Sequence, residues 1–149
     1  MGEGFGFHRD ISNGELDIEV ASTIALTLTT TDLKLPVSTV TYGGRGTVTQ
    51  DTNHANPVTL NATSGTITLT STDLGTATEA VFRVTNSFVA VGDVVVVNVQ
   101  TDNDDGEAQV GIAEVGAGFF DIMLSNPHAT TAAFNAATTL NFAVIKTAA

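Results

Sequence analysis

Apolar and polar positions alternate with a period of two along most of the chain. Ala25-Leu26-Thr27-Leu28-Thr29, Thr47-Val48-Thr49 and Gly65-Thr66-Ile67-Thr68-Leu69-Thr70 carry this pattern, and Glu79-Ala80-Val81-Phe82-Arg83-Val84-Thr85 continues it. A two-residue period is that of a half-buried β-strand, whose successive side chains point to opposite faces. Asp93-Val94-Val95-Val96-Val97-Asn98-Val99-Gln100 is a β-branched run, which predicts a strand covered on both faces. The stretches 108–115, 118–124 and 139–145 predict three more strands.

Turn residues separate these runs. Asn13-Gly14, Gly43-Gly44, Asp105-Gly106 and Gly116-Ala117-Gly118 are the clearest breaks, and Asn126-Pro127 ends a strand because proline removes a ladder donor. From Thr47 onward the spacing predicts about seven or eight strands in an antiparallel β-sandwich of jelly-roll type. Thr72 to Thr76 and Thr131 to Ala137 have room for single helical turns, too short to alter the all-β class. Residues 1–45 differ. A Gly-rich start with Phe5 and Phe7 leads into strand-like pieces at 15–20 and 24–29, then Leu33-Lys34-Leu35-Pro36. So short a segment buries little of itself. It reads as an extended β arm for docking and oligomer contacts, attached to a sandwich knob over 46–149.

Composition narrows the partners. With 5 Lys plus Arg against 16 Asp plus Glu, the net charge of −11 opposes phosphate backbones and anionic membrane surfaces. Nucleic acid and membrane are therefore not expected partners. Cysteine is absent, which excludes disulfides and thiolate metal sites. Only 14% of residues are charged, and 25 threonines supply much of the polar surface. Threonine has little rotamer entropy to lose when a neighbour packs against it. Residues 1–10 lack the apolar core of a targeting signal, and no run reaches the length of a membrane span, so a protein soluble at synthesis is expected.

Candidate chemistry is sparse. Asp102-Asn103-Asp104-Asp105-Gly106-Glu107 has the oxygen density for Ca²⁺, but Gly106 stands where an EF-hand loop needs an acid and no Glu holds the twelfth position. It reads as a solvated hairpin tip turned by Asp105-Gly106. His8, His54 and His128 fall in three predicted loops without a second His at ligand spacing. Serine and threonine are plentiful, but none sits in a nucleophile elbow. Glu114 and Asp121 lie on neighbouring predicted strands, as many surface acids do. Gly43-Gly44-Arg45-Gly46 lacks the Lys of a phosphate loop and reads as a turn. Asn61-Ala62-Thr63 fits a glycosylation sequon by chance. No catalytic residues, metal or cofactor are expected. Phe88 is assigned to the core, and Phe5 and Phe7 to a partner or sister subunit.

Two regions carry a resemblance. Thr23-Ile24-Ala25-Leu26-Thr27-Leu28, preceded by Asp17-Ile18-Glu19-Val20, is similar to short β segments of trimeric phage fibre and tailspike proteins. Ser64 to Leu69, Phe82 to Ser87 and Leu140 to Lys146 resemble a β-sandwich module of phage virion proteins. The resemblance implies a virion component, often a homotrimer. The shortness of the chain favours a capsid decoration (cement) protein over a long fibre. Such a protein is made in the host cytoplasm and sits on the capsid exterior, clamping major capsid protein at three-fold or quasi-three-fold positions. Phe5, Phe7, Ile18, Val20, Leu26 and Leu28 are the candidate partner-binding residues. The alternative is a receptor- or glycan-binding knob of a short phage head or tail fibre.

Overall fold

The computed structural model describes residues 5–10, 15–20, 23–28, 33–34, 43–101, 108–134 and 138–147. It divides into two compact units, Met1–Thr41 and Tyr42–Ala149.

The first unit carries four strands, β1 (Phe5–Asp10), β2 (Glu15–Val20), β3 (Thr23–Leu28) and β4 (Leu33–Lys34). They form one antiparallel sheet in the order β1-β2-β3-β4. The two strand-like pieces read from the sequence are β2 and β3. Each predicted apolar alternation thus finds a neighbour of the same period.

The second unit holds eight strands: β5 (Arg45–Thr49), β6 (Val58–Thr59), β7 (Ser64–Thr68), β8 (Thr78–Thr85), β9 (Val94–Thr101), β10 (Gln109–Gly116), β11 (Phe119–Asn126) and β12 (Thr139–Ile145). One sheet runs β10-β11-β8-β6 and the other β5-β7-β12-β9. Most pairings are antiparallel, but β5 pairs with β7, and β6 with β8, in parallel. The two sheets pack together as a β-sandwich, the expected all-β architecture. Edge strands β9 and β10 come close along one side of the sandwich.

The core follows from the alternation. Ile67, Leu140, Phe142, Val144 and Val95 line the inner face of one sheet, and Phe82, Val84, Phe120, Ile122 and Leu124 that of the other. Along β11 every second residue is buried, and β12 repeats the pattern from Leu140 to Val144. The Phe120 and Phe142 rings meet across the layers at 5.1 Å between centroids. Their tilt of 51° avoids the unfavourable face-to-face stack. Gly46 and Gly65 are paired across β5 and β7, where Leu60 covers both.

Several expectations change. The valine run of β9 is buried on one face only: Val95 is in the core, while Val94 and Val96 are about half exposed. The reason is position. β9 belongs to a two-layer sandwich, so within the second unit only the face turned to the other sheet is covered. Phe88 is not a core residue but is 51% exposed, in the loop leading to β9. Neither proposed helical turn is helical among the described residues; Leu74 and Ala133 instead form an isolated bridge. Arg45 and Gly46 belong to β5 rather than to a turn, and His8 lies within β1 opposite Asp17. The hairpin tip 102–107 lies outside the described residues.

Candidate interaction surfaces

Strand register decides which positions share a face, because directly opposed residues of an antiparallel pair lie on the same side. In the first unit Phe5 is opposite Val20 and Phe7 opposite Ile18. Ile18 is in turn opposite Leu26, and Leu16 opposite Leu28. A register shift between Ile18 and Glu19 follows, placing Glu19 against Ile24. All six candidate partner-binding positions therefore fall on one face of this sheet, in rows that cross β1, β2 and β3. The other face takes Gly6 with Glu19, and His8 with Asp17 and Thr27.

The outer faces of the sandwich differ from each other. On the β10-β11-β8-β6 sheet, Arg83 is opposite Asp121, which is opposite Glu114. The Arg83 guanidinium donates from Nε to Asp121 Oδ1 at 2.8 Å and from Nη2 to Oδ2 at 2.9 Å. It also stacks over the Phe119 ring, 3.6 Å from the centroid. Glu114 stands 4.0 Å from the same guanidinium. The hydrogen bond to Asp121 raises the Arg83 pKa above its ordinary value, with both carboxylates adding to the effect. The two acids thus flank one cation on a flat sheet. They are not opposed walls of a cleft, which a carboxylate-pair hydrolase needs.

The outer face of the β5-β7-β12-β9 sheet is built from different chemistry. Register runs Arg45–Ser64–Ala143–Val96 in one row and Thr47–Thr66–Asn141–Asn98 in the next. A third row is Thr49–Thr68–Thr139–Thr101, and Val94 faces Ile145 at the other end. None of these four strands contains Asp or Glu. Arg45 is the one charge, and it donates to Thr66 Oγ1 at 2.6 Å and Asn141 Oδ1 at 3.4 Å.

Polar side chains inside the unit serve its loops. Asn126, 1% exposed, donates to the carbonyls of Leu74, Gly75 and Thr131 and accepts the His128 N–H. Asn86 donates to the Ala62 carbonyl and accepts the Phe88 N–H, at the opposite end of the sandwich. His54 is buried; its Nε2 lies 2.6 Å from the Thr72 carbonyl and its ring stands edge-on to Phe134. His128 accepts the N–H groups of Thr130 and Thr131 on Nδ1. Both are thus occupied in loop structure, a role the spacing of histidines in the sequence could not reveal. Among the described residues no three His, Cys, Asp or Glu gather as metal ligands.

At one end of the sandwich the last residue of β9, Thr101, is opposite Thr139, and the first of β10, Gln109, is opposite Ser125. Asn126 and Thr78 pair at the same end. The strand ends flanking 102–107 therefore adjoin the 126–131 loop. No helix among the described residues is long and apolar enough to cross a membrane. No protein family, curated protein or solved structure matches the chain.

Proposed function

We propose that the chain is a non-catalytic structural protein of a virion, a decoration protein that binds major capsid protein on the capsid exterior and reinforces the shell. The observation that carries this reading is the register of the first unit, which sets Phe5, Phe7, Ile18, Val20, Leu26 and Leu28 on one face of a four-stranded sheet. A single sheet with one apolar face needs a second layer to cover it. A coat-protein surface supplies that layer in this reading. Three copies arranged around a three-fold position multiply a modest contact into a firm attachment through effective concentration.

The test is particle binding. Ile18→Asp and Leu26→Asp, or removal of residues 1–41, are expected to abolish co-sedimentation with capsids while the sandwich keeps its melting transition. Undiminished binding by these variants would overturn the assignment.

A second reading is a receptor- or glycan-binding knob. It is favoured by the clustering of the 126–131 loop with the strand ends flanking 102–107. It predicts retention on a glycan array that is lost on Ala129→Glu with Thr130→Glu, both at exposed loop positions; silence of the array would exclude it.

A further inference from the structure

Among the described residues of the second unit, the outer face of the β5-β7-β12-β9 sheet is a broad surface whose strands carry no carboxylates. The opposite sheet carries Glu79 on β8, Glu114 on β10 and Asp121 on β11. β5, β7, β9 and β12 carry none, in a chain with 16 acids and a net charge of −11. We infer that this face is where the protein meets a second copy of itself. The inference deepens the proposed function, resting on the reading of the chain as an assembly component.

Charge chooses the occupant. Two copies of a strongly acidic chain repel over distances comparable with the Debye length, and like charges brought into contact cost several kcal/mol. Self-association is least opposed where each copy contributes no carboxylate. A basic partner would be drawn to the carboxylates of the other faces and would find none here. Arg45, the single cation, is already bonded to Thr66 and Asn141 along the face.

The side chains suit close packing. Val94 is 50% exposed, Val96 49% and Ile145 42%, and they occupy adjoining positions, Val94 opposite Ile145 and Val96 opposite Ala143. The remaining positions are mostly Thr, Ser and Asn, which give up little rotamer entropy compared with Lys or Glu. Four strands about 4.8 Å apart and averaging roughly six residues project an area of about 400 Å². Phe88 and Val91, in the loop entering β9, are exposed as well. The sum approaches the ~500 Å² per copy at which a contact becomes a specific interface. Two-fold stacking of this face gives a dimer, and a cyclic arrangement gives the trimer of the proposed function.

Sedimentation velocity on the full chain tests this. The wild-type chain is expected to sediment as a dimer or trimer. Val96→Glu and Thr47→Glu, both at exposed positions on this face, are expected to sediment as monomers with an unchanged circular-dichroism spectrum. Val81→Glu, at an exposed position on the other sheet, is expected to keep the wild-type mass. A wild-type chain that stays monomeric at its highest soluble concentration would overturn the inference. So would Val96→Glu and Thr47→Glu variants that fold and keep the wild-type mass. Should one variant unfold, the other decides. A wild-type chain that binds capsids yet never assembles in solution counts against this face alone, and one that assembles but does not bind capsids counts against the decoration role alone.

Discussion

The carboxylate of Asp93 is paired with the ammonium of Lys146, 53 residues later in the chain. Asp93 also accepts the N–H groups of Ala90 and Thr147, and Lys146 donates further to the Phe88 carbonyl. The side chain of Asp93 is 2% exposed, so a buried anion closes the loop before β9 onto the end of β12. The Lys146 hydrogen bond, supported by that from Ala90, lowers the Asp93 pKa below its ordinary 3.8. Through the acid range the folded state therefore holds fewer protons on this group than the unfolded chain does. Its stabilising contribution is complete above about pH 4 and disappears as pH falls through the lowered native value. Asp93→Asn is expected to lower the melting temperature at pH 7 and to flatten its decline below pH 4. Equal acid sensitivity in variant and wild type, measured by melting at a series of pH values, would contradict this.

Asn126→Ala is expected to be among the more damaging single changes. It strips a donor from three carbonyls, those of Leu74, Gly75 and Thr131, and an acceptor from the His128 N–H. Each buried backbone group left without a partner costs about 1–3 kcal/mol, softened where water enters. A loss of about 3 kcal/mol in urea unfolding is expected, with faster amide exchange at Ala133 and Leu74, whose bridge this side chain holds in place. A loss below about 0.5 kcal/mol would show that the loops stand without it.

Gly65→Ala tests the close approach of β5 and β7. An added Cβ would sit 2.8 Å from Leu60 Cδ2, 2.8 Å from Phe142 Cε1 and 2.9 Å from the Gly46 carbonyl oxygen. The last of these is backbone and cannot turn aside. Overpacking of this kind costs about 1–3 kcal/mol. The contrasting change, Gly111→Ala, meets nothing within 4 Å and is expected to be near neutral.

β9 offers a comparison within one strand. Val95→Thr buries a hydroxyl without an assured partner and is expected to cost about 1–3 kcal/mol. At a concentration too low for self-association, Val96→Thr, on the outer face, is expected to fall within about 0.5 kcal/mol of wild type. Equal costs at the two positions would mean that both faces of β9 are covered.

Much of this architecture was readable from residue pattern, and the exceptions have physical causes. β7 and β12 alternate in sequence, so their period is plain, whereas β11 is apolar at nearly consecutive positions and alternates only in burial. β9 could not be resolved in the same way, because four consecutive valines carry no alternation, and only the register with β12, which sets Val95 opposite Val144 and Val97 opposite Phe142, tells which ones face inward. β6 is two residues long, too short for a period to register. Phe88 reads as a core residue from its hydrophobicity, which alone does not distinguish a core position from a loop that ends in solvent. Of the six candidate residues of the first unit, Ile18, Val20, Leu26 and Leu28 are legible as strand positions, whereas Phe5 and Phe7 stand in a Gly-rich start that forms β1. Their arrival on one face also needed the register, including the shift at Ile18 and Glu19. The acid-free sheet is present in the sequence only as scattered segments, and strand order is what assembles 45–49, 64–68, 94–101 and 139–145 into one surface.

The place of β12 has a consequence for how the second unit comes into being. It lies between β7 and β9, yet it follows both in chain order. As the polypeptide leaves the ribosome, those two strands are exposed early and have no partner for each other until 139–145 emerge. That sheet therefore cannot close until 139–145 are available, and a chain stalled before residue 139 would leave its valine-rich strand without its β12 neighbour and open to neighbouring copies on the polysome.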